Sequence, residues 1–434
     1  MPGEPSFTAD VTVIGGGMAG MAASMHLAKA GLRVTCMEPE SSGRQPVGES
    51  LDWATPDLLG AVGFSRDYLL TSHISTYKRH VTLQTSDGTS VEYAVSPWLA
   101  DAPYRVELNT LHADRLTLDR ELRERVASLG VNAVQDRVVS VERDGRRITA
   151  VRSASGGRYL SRWYVDASGG GTSLLAREFR LPFHQYGPRK VAMWSYFTVG
   201  TPSEGTTIYS EATPGKYLEW IWEIPISAST VSVGCVAPGE SVKRERAQGL
   251  TVEDIFRRQL AKFPRFEPLL AETPGAVHVT SFQCRSYKGV TGPNWMIVGE
   301  AASLVDPVTS NGVSAALRHA EDASMLIVAA RNRGALSRWG RGLYSLRVLQ
   351  MGRFFNSGIE KLVYDWPLRD RLGLARAADI YTAAAWSINT LYSRFRPRRT
   401  VGTLAFTSLL SLLRMCAWVM RRMQGSMRPG YQED

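Results

Sequence analysis

An α/β architecture, doubly wound, with an inserted antiparallel sheet and a helical C-terminal extension, follows from three observations in this sequence. An apolar run, Val11–Ile14, passes directly into Gly15-Gly16-Gly17-Met18-Ala19-Gly20 and then into a small-residue helical pattern through Ala22, Ala23, His26 and Leu27. Between residues 181 and 285 the pattern changes to short alternating runs, the period of half-buried strands. Trp295–Val298 then returns as a buried apolar strand that enters Gly299-Glu300-Ala301-Ala302. A doubly wound unit that is interrupted and later resumed accounts for all three.

The first element carries the most specific chemistry. A second apolar run, Leu32 to Met37, ends at Glu38, which lies 18 residues after Gly20. Strand, glycine turn, helix, strand and acid, in that order, suit a dinucleotide. Gly15 permits the tight turn, Gly17 lets backbone approach a diphosphate, and Gly20 lets helix pack on strand. The free N–H groups and positive end of the helix meet the diphosphate, and Glu38 stands where a ribose-binding acid belongs. A glycine turn without a ligand is the competing reading. The strand before it, the helix after it and the acid beyond it argue for the dinucleotide.

At 434 residues the chain can bury a large core in two or three structural units. Apolar residues make up 44% and charged residues 21%, as in a soluble globular protein. The formal net charge of +10 suits acidic partners or substrates, or a plainly solvated basic surface. Cys36, Cys235, Cys284 and Cys416 are far apart and make no metal spacing, which fits reduced thiols in the cytoplasm. The start, MPGEPSFTAD, carries no signal-peptide pattern. Val401–Met420 is the most apolar stretch, but its hydroxyl residues and Arg414 argue against a membrane span. No nucleic-acid partner is expected.

Along the chain, the residues SSGRQPVGESL at 41–51 read as a loop that brings Gly48-Glu49-Ser50 back toward the ligand. A helix is predicted through Leu51–Val62. A β-hairpin is predicted from Tyr77–Thr85 and Val91–Val95 around Asp87-Gly88, with Lys78 at its head. Leu111–Leu129 reads as a helix, with Arg115 and Asp119 four apart on one face. Val131–Val141, Arg147–Val151 and Tyr159–Val165 read as strands, and the last leads into Asp166-Ala167-Ser168-Gly169, a second close approach of backbone to a ligand. Lys190–Val199, Thr206–Tyr209, Leu218–Ile226, Thr230–Val236 and Val277–Gln283 form the antiparallel sheet, interrupted by a helix at Val252–Phe263. Asp306-Pro-Val-Thr-Ser-Asn-Gly312 precedes a long helix, Val313–Ala330. The expected division is therefore a discontinuous dinucleotide-binding domain (1–180 and 286–335), an antiparallel-sheet substrate domain (181–285) and a mostly helical extension (336–434). The seven histidines are isolated and no metal site is expected. His112 and His319 read as packing or surface residues.

Three motifs now add up to a family. Gly15-Gly-Gly-Met-Ala-Gly20, Trp220-Ile-Trp222-Glu-Ile-Pro225 and Leu304-Val-Asp-Pro-Val-Thr-Ser-Asn-Gly312, supported by Gly48-Glu49-Ser50 and Asp166-Ala-Ser-Gly169, resemble the flavin-dependent halogenases. The resemblance spans roughly residues 8–340. It implies a glutathione-reductase- or hydroxylase-like unit holding FAD through Gly15, Gly17, Met18, Ala19, Gly20, Glu38, Gly48, Glu49, Ser50, Arg115, Asp166, Gly299, Glu300, Asn311 and Gly312. It implies that Trp220 and Trp222 shield the flavin from the organic substrate, so that a small oxidant travels instead. Core packing of that strand face is the simpler alternative for the tryptophans. Pro307, Ser310 and Gly312 match the tunnel motif, while Leu304 stands where the family usually has Phe. Lys78 takes the place of the lysine that captures or hydrogen-bonds hypohalous acid, and Ser310 is the other catalytic candidate. A halide belongs beside Asn311 and Gly312. Thr309 stands where tryptophan-specific members carry Glu, which places the chain nearer the phenol- and pyrrole-directed members.

These implications describe an oxidoreductase of secondary metabolism that halogenates an electron-rich aromatic substrate, free or carried by an acidic carrier protein, using FADH2, O2 and a halide. FADH2 comes from a separate flavin reductase, because the sequence holds no second nucleotide-binding unit. An aromatic hydroxylase of the same architecture, or an FAD-binding partner protein without turnover, are the alternatives. The latter would use Leu404, Leu410, Leu412, Leu413 and Trp418 as a contact face.

Overall fold

The computed structural model describes residues 8–39, 45–93, 110–171, 173–200, 202–211, 215–271 and 275–364, with a few isolated positions between 373 and 415. A five-stranded parallel sheet runs in the order Trp295–Ile297, Ser161–Asp166, Ala9–Ile14, Val34–Met37, Asn132–Val134. Its central strands are buried along nearly their whole length, as expected of a parallel sheet covered on both faces. The helix Met18–Lys29 follows the first strand and packs on the helix Gly312–Ala329, so the sequence-distant return predicted at residue 295 completes the same unit.

Small residues make that junction possible. Gly15 has φ +104° and lies against the Ala167 carbonyl, a position closed to a side chain on both counts. Gly20 faces the Gly15 carbonyl oxygen so closely that a Cβ would overlap it. Gly17 has open space where a Cβ would stand.

The second sheet has seven strands in the order His278–Phe282, Lys190–Thr198, Thr230–Pro238, Trp220–Pro225, Gly205–Ser210, His80–Thr85, Ser90–Tyr93. Alternation divides its side chains between two cores. Met193, Phe197, Tyr209, Ile221, Val231 and Val233 pack under the helices Gly239–Ala247 and Val252–Leu260. Trp194, Trp220, Trp222 and Ile224 pack on the opposite face with Val305, Phe355, Ile359 and Tyr364. The helix Arg338–Ile359 and the turn Glu360–Tyr364 supply the last three.

Three local readings are corrected here. Thr110–Ala113 is a strand, antiparallel to Ser75–Lys78, and the helix begins only at Arg115. Asp114 caps it by accepting from the backbone N–H groups of Leu116 at 3.0 Å and Thr117 at 3.3 Å. A four-residue buried strand has no periodicity that separates it from a helical turn. Lys78 therefore ends a separate two-stranded ribbon instead of heading the hairpin, which starts at His80 and joins the large sheet through a parallel pairing with Gly205–Ser210. The helix predicted at Leu51–Val62 is shorter, Thr55–Ala61, because Asp52 accepts from the N–H groups of Ala54 and Thr55 and terminates the preceding loop.

Among the described residues no helix is long and apolar enough to cross a membrane. Val401–Met420 and the proposed contact residues Leu404, Leu410, Leu413 and Trp418 lie largely outside the described residues, and Leu412 is exposed.

The glycine turn yields a direct test. Gly20→Ala should destabilise the folded chain by roughly 1–3 kcal/mol or more, since backbone would have to move. Gly17→Ala, with open space and an ordinary extended backbone, should leave the melting temperature of the ligand-free protein unchanged within error. Equal melting temperatures for the two variants would contradict this packing.

Candidate functional site

The parallel sheet presents its carboxyl ends to one cleft. The helix Met18–Lys29 starts at Gly17 with no side-chain cap, and the space beside Gly17 is open. Glu38, just past the second strand, lies over Gly16 and stands 3.9 Å from Arg123. Burial pushes its carboxyl above the usual range, and Arg123 opposes that. Ala19 packs against Gly299, whose φ is +60°. Met18 is buried nearby, and Glu300 is the middle residue of the short 3-10 turn Gly299–Ala301.

Arg115 is buried at the start of its helix. It makes a two-pronged pair with Asp119 at 3.1 and 3.2 Å and donates through Nη1 to the Val47 carbonyl at 2.9 Å. Burial works against the guanidinium, but Asp119, with Glu49 and Glu300 further off, holds its pKa above normal. Gly48, φ +106°, leaves room for this arginine. Asp166 is turned inward: it accepts from Ser168, from the Ser173 hydroxyl at 2.7 Å and from Leu175 N at 2.8 Å, and so shapes the loop after its strand. A free helix start, a glycine with space above it, an acid at the second strand and a buried arginine under the Gly48 loop fit the diphosphate, ribose and isoalloxazine-side contacts of FAD.

A second group of side chains gathers where the loop 48–55, the ribbon and the start of the Gly312 helix meet. Lys78 is 5% exposed, and its Nζ donates to the Leu51 carbonyl at 3.1 Å. Burial pushes its pKa from 10.5 down to about 8, against the pull of Asp52. Asp52 is the hub. One carboxylate oxygen accepts from the Thr55 hydroxyl at 2.6 Å; the other accepts from Asn311 Nδ2 at 2.6 Å and Ser314 Oγ at 2.5 Å. Asn311 thereby spends its side chain on Asp52, and the Gly312 helix starts without a side-chain cap.

Ser310 takes a left-handed conformation, φ 54° and ψ 20°, at the end of the turn Pro307–Thr309. Its hydroxyl donates to Ser50 at 3.2 Å; Ser50 meets Thr206 at 3.0 Å, and Thr206 meets His112 Nε2 at 2.9 Å. Glu49 joins the cleft to the large sheet by accepting from Tyr196 at 3.0 Å and Ser232 at 3.2 Å. Asp52, Thr206 and His112 were not legible as site residues from the sequence. Only the Asp52–Thr55 spacing carried a signal, that of a helix cap.

Trp220 and Trp222 lie side by side with ring centroids 5.8 Å apart, both buried. Trp220 Nε1 donates to Tyr364 at 2.7 Å, and Tyr364 donates to Asp306 at 3.1 Å. Lys190 completes this cluster, 2.8 Å from Asp306 and 3.4 Å from Glu360. Burial disfavours its charge, but Asp306 and Glu360 outweigh that and raise its pKa. The tunnel turn is thus bonded to the back of the tryptophan wall. Leu304 is buried against Gly170 and pairs with Arg285 across a short sheet.

The Lys78 environment predicts a sign. Below about pH 8 both folded and unfolded chains carry this proton, and the folded chain bears the full cost of a poorly compensated buried ammonium. Between about 8 and 10.5 the folded chain loses it first, so stability rises with pH through that window. Lys78→Met should therefore stabilise the apoprotein at pH 7 by roughly 2–3 kcal/mol, with the gain shrinking toward pH 10.5. Urea denaturation at pH 7 and pH 10 reads this, and a variant less stable than wild type at pH 7 would refute it.

Comparison with known proteins places these features in a family. The family described as tryptophan halogenase matches residues 105–331, a little over half of the chain, and an FAD-binding domain family matches residues 10–55. A tryptophan 2-halogenase from Chondromyces crocatus is 28% identical over 327 residues, covering 73% of this chain and 60% of that protein. A 1H-pyrrole-2-carbonyl-[peptidyl-carrier protein] chlorinase from Pseudomonas fluorescens is 29% identical over 352 residues, covering 74% of this chain and 76% of that one. A triple mutant of the flavin-dependent brominase Bmp2 shares the fold with a TM-score of 0.71 at 21% identity, covering 90% of this chain and 100% of that one. The chain spans about three fifths of the length of the Chondromyces relative. By the family match across half its length, the chain belongs to the tryptophan halogenase family, whose cofactor is FAD.

Proposed function

We propose that this protein halogenates an electron-rich aromatic ring. The observation that carries the proposal is Lys78: a buried amine bonded to the Leu51 carbonyl and close to Asp52, in a chain of the halogenase family. FAD is held by the start of the Met18–Lys29 helix with Gly15, Gly17 and Gly20, by Glu38 and Arg115, and along the Gly48–Ser50 and Gly299–Glu300 edges. Asp166 contributes by holding its loop. Reduced FAD, with O2 and a halide, supplies an electrophilic halogen as hypohalous acid.

The chain's own residues do the rest. The backbone N–H groups at Asn311 and Gly312 hold a halide at the positive end of an 18-residue helix. Trp220 and Trp222 keep the organic ring away from the cofactor. Ser310, fixed in its left-handed turn, lines the route for the small oxidant. Lys78, with a pKa of about 8, is still mostly the ammonium at pH 7. It hydrogen-bonds the oxygen of hypohalous acid and gives that oxygen a proton as the halogen passes to the ring. Positioning a reactant in this way is worth several powers of ten in rate.

The named activity of the pyrrole-2-carbonyl chlorinase supports a carrier-tethered ring as the substrate, and the net charge of +10 suits an acidic carrier. A separate flavin reductase is the proposed source of reduced FAD.

Two measurements test this reading. Gly17→Val should fold yet lose FAD, because the new side chain fills the open space the diphosphate needs; undiminished flavin absorbance would remove the cradle assignment. Wild-type protein supplied with a flavin reductase, NADH, FAD, O2 and bromide or chloride should give halogenated products by mass spectrometry from free or carrier-bound phenol and pyrrole rings. Lys78→Ala should bind FAD normally and lose halogenation by about 10²-fold or more. Products that carry oxygen but no halogen would defeat the reading.

A further inference from the structure

We infer that His112 is the terminal proton acceptor of a buried relay that begins at Ser310 and serves the halogenation proposed above. The relay rests on that reaction for its purpose, but its direction is set by the fold alone.

The ribbon formed by Ser75–Lys78 and Thr110–Ala113 pairs Thr76 with His112 and Lys78 with Thr110. Directly paired residues share a face, and residues two apart along a strand do too, so Thr76, Lys78, Thr110 and His112 stand on one side. His112 is fully buried there. Its Nδ1 is 3.2 Å from the Thr76 hydroxyl, and that hydroxyl donates to the Pro225 carbonyl at 2.8 Å. A carbonyl only accepts, so the Thr76 proton is committed to Pro225 and Thr76 must accept from His112. Nδ1 therefore carries the imidazole proton, and Nε2 presents a lone pair. Thr206, 2.9 Å away, must donate to that lone pair. Thr206 then accepts from Ser50, and Ser50 accepts from Ser310. Every hydroxyl from Ser310 onward points toward His112. One carbonyl at the far end orients the whole chain.

Aromatic halogenation needs such an outlet. The ring carbon bonds to the halogen of hypohalous acid, and the oxygen leaves as water with a proton from Lys78. The ring C–H bond then breaks and its electron pair returns to the ring. Its proton goes to Ser310 Oγ, while the Ser310 proton passes to Ser50, the Ser50 proton to Thr206 and the Thr206 proton to His112 Nε2. Atoms and charge balance, with one proton given by Lys78 and one taken by His112. Lys78 is itself a free amine once it has given its proton, so His112 is named by the orientation of the hydroxyl chain that leads to it and not by the exclusion of Lys78. Burial and the neighbouring Lys78 push the pKa of His112 well below its usual value, against a backbone hydrogen bond to Tyr77 that raises it, so the resting ring is neutral and one ring nitrogen is free of a proton. His80 adds a weaker push in the same direction, and among the described residues no carboxylate is hydrogen-bonded to the ring.

The test uses FAD-loaded full-length protein. With imidazole nitrogens labelled with 15N, the His112 signals are assigned by their loss in His112→Gln. They should show a neutral ring with the proton on Nδ1 at pH 7, and Thr206→Val should shift Nε2 alone. A proton on Nε2, or a cationic ring, would overturn the relay whether or not the protein halogenates. In turnover of whichever phenol or pyrrole substrate the wild type accepts, His112→Gln keeps an amide that can bond Thr206 but cannot take up a proton. It should halogenate about 10²-fold more slowly and acquire a ring-deuterium isotope effect absent from wild type. Thr206→Val, which leaves His112 in place, should do the same. Wild-type rates without an isotope effect in both variants would reject the relay, whereas absence of halogenation by wild type would count against the proposed function and leave the nitrogen measurement to decide on His112.

Discussion

The Asp52 carboxylate fixes where two distant stretches of chain meet. It binds Thr55, which starts a helix, and it binds Asn311 and Ser314, which start another almost 260 residues later. Two consequences follow. The carbonyl of the preceding residue, Leu51, is held where Lys78 can reach it. The left-handed conformation of Ser310, which costs roughly 1–2 kcal/mol for a residue with a Cβ, is also held against relaxation by the anchored residue that follows it. Strain of this kind persists only where its surroundings over-determine it. One buried acid thus satisfies donors from the starts of both helices.

Two buried lysines show how environment separates structure from chemistry. Lys190 faces Asp306 and Glu360 at hydrogen-bond range, and its charge is retained. Lys78 faces a neutral carbonyl, with Asp52 acting only at longer range, and its pKa falls to about 8. The first arrangement ties the turn after Asp306 to the strand Lys190–Thr198. The second keeps an amine poised near neutral pH, which is what a group that must give and regain a proton requires. That poise carries a cost in stability, as is common where activity depends on an uncompensated buried group.

What the sequence made legible were the features with a local cause. A glycine turn has a fixed order of strand, small residues and helix; the large sheet shows an alternation that needs no partner to be seen. Ser310 and the tryptophans were singled out because they stand in short motifs, and Lys78 because of its spacing from Gly48-Glu49-Ser50. The surroundings of those residues were hidden, because they depend on pairings between strands far apart. Thr110–Ala113 looked like the beginning of a helix until Ser75–Lys78 lay beside it. Thr206 reached the site only through the parallel pairing of Gly205–Ser210 with His80–Thr85, a contact that no local periodicity specifies. His112, isolated in sequence and without a metal spacing, acquired its place from both pairings together.

Those same pairings explain why the site spans the two sheets. Ser50 and Asp52 belong to the loop leaving the parallel sheet, Thr206 to the large sheet, and His112 to the ribbon between them. A substitution in any one element therefore alters groups contributed by the others, and effects within the Ser310–Ser50–Thr206–His112 chain cannot be additive, since breaking one link disconnects all of them. Effects at Lys190 or Tyr364 should instead add to those in the relay, because the cluster around Asp306 shares no hydrogen bond with it. The tryptophan cluster and the relay are, on this argument, separable, although both are built against one turn, Pro307–Thr309.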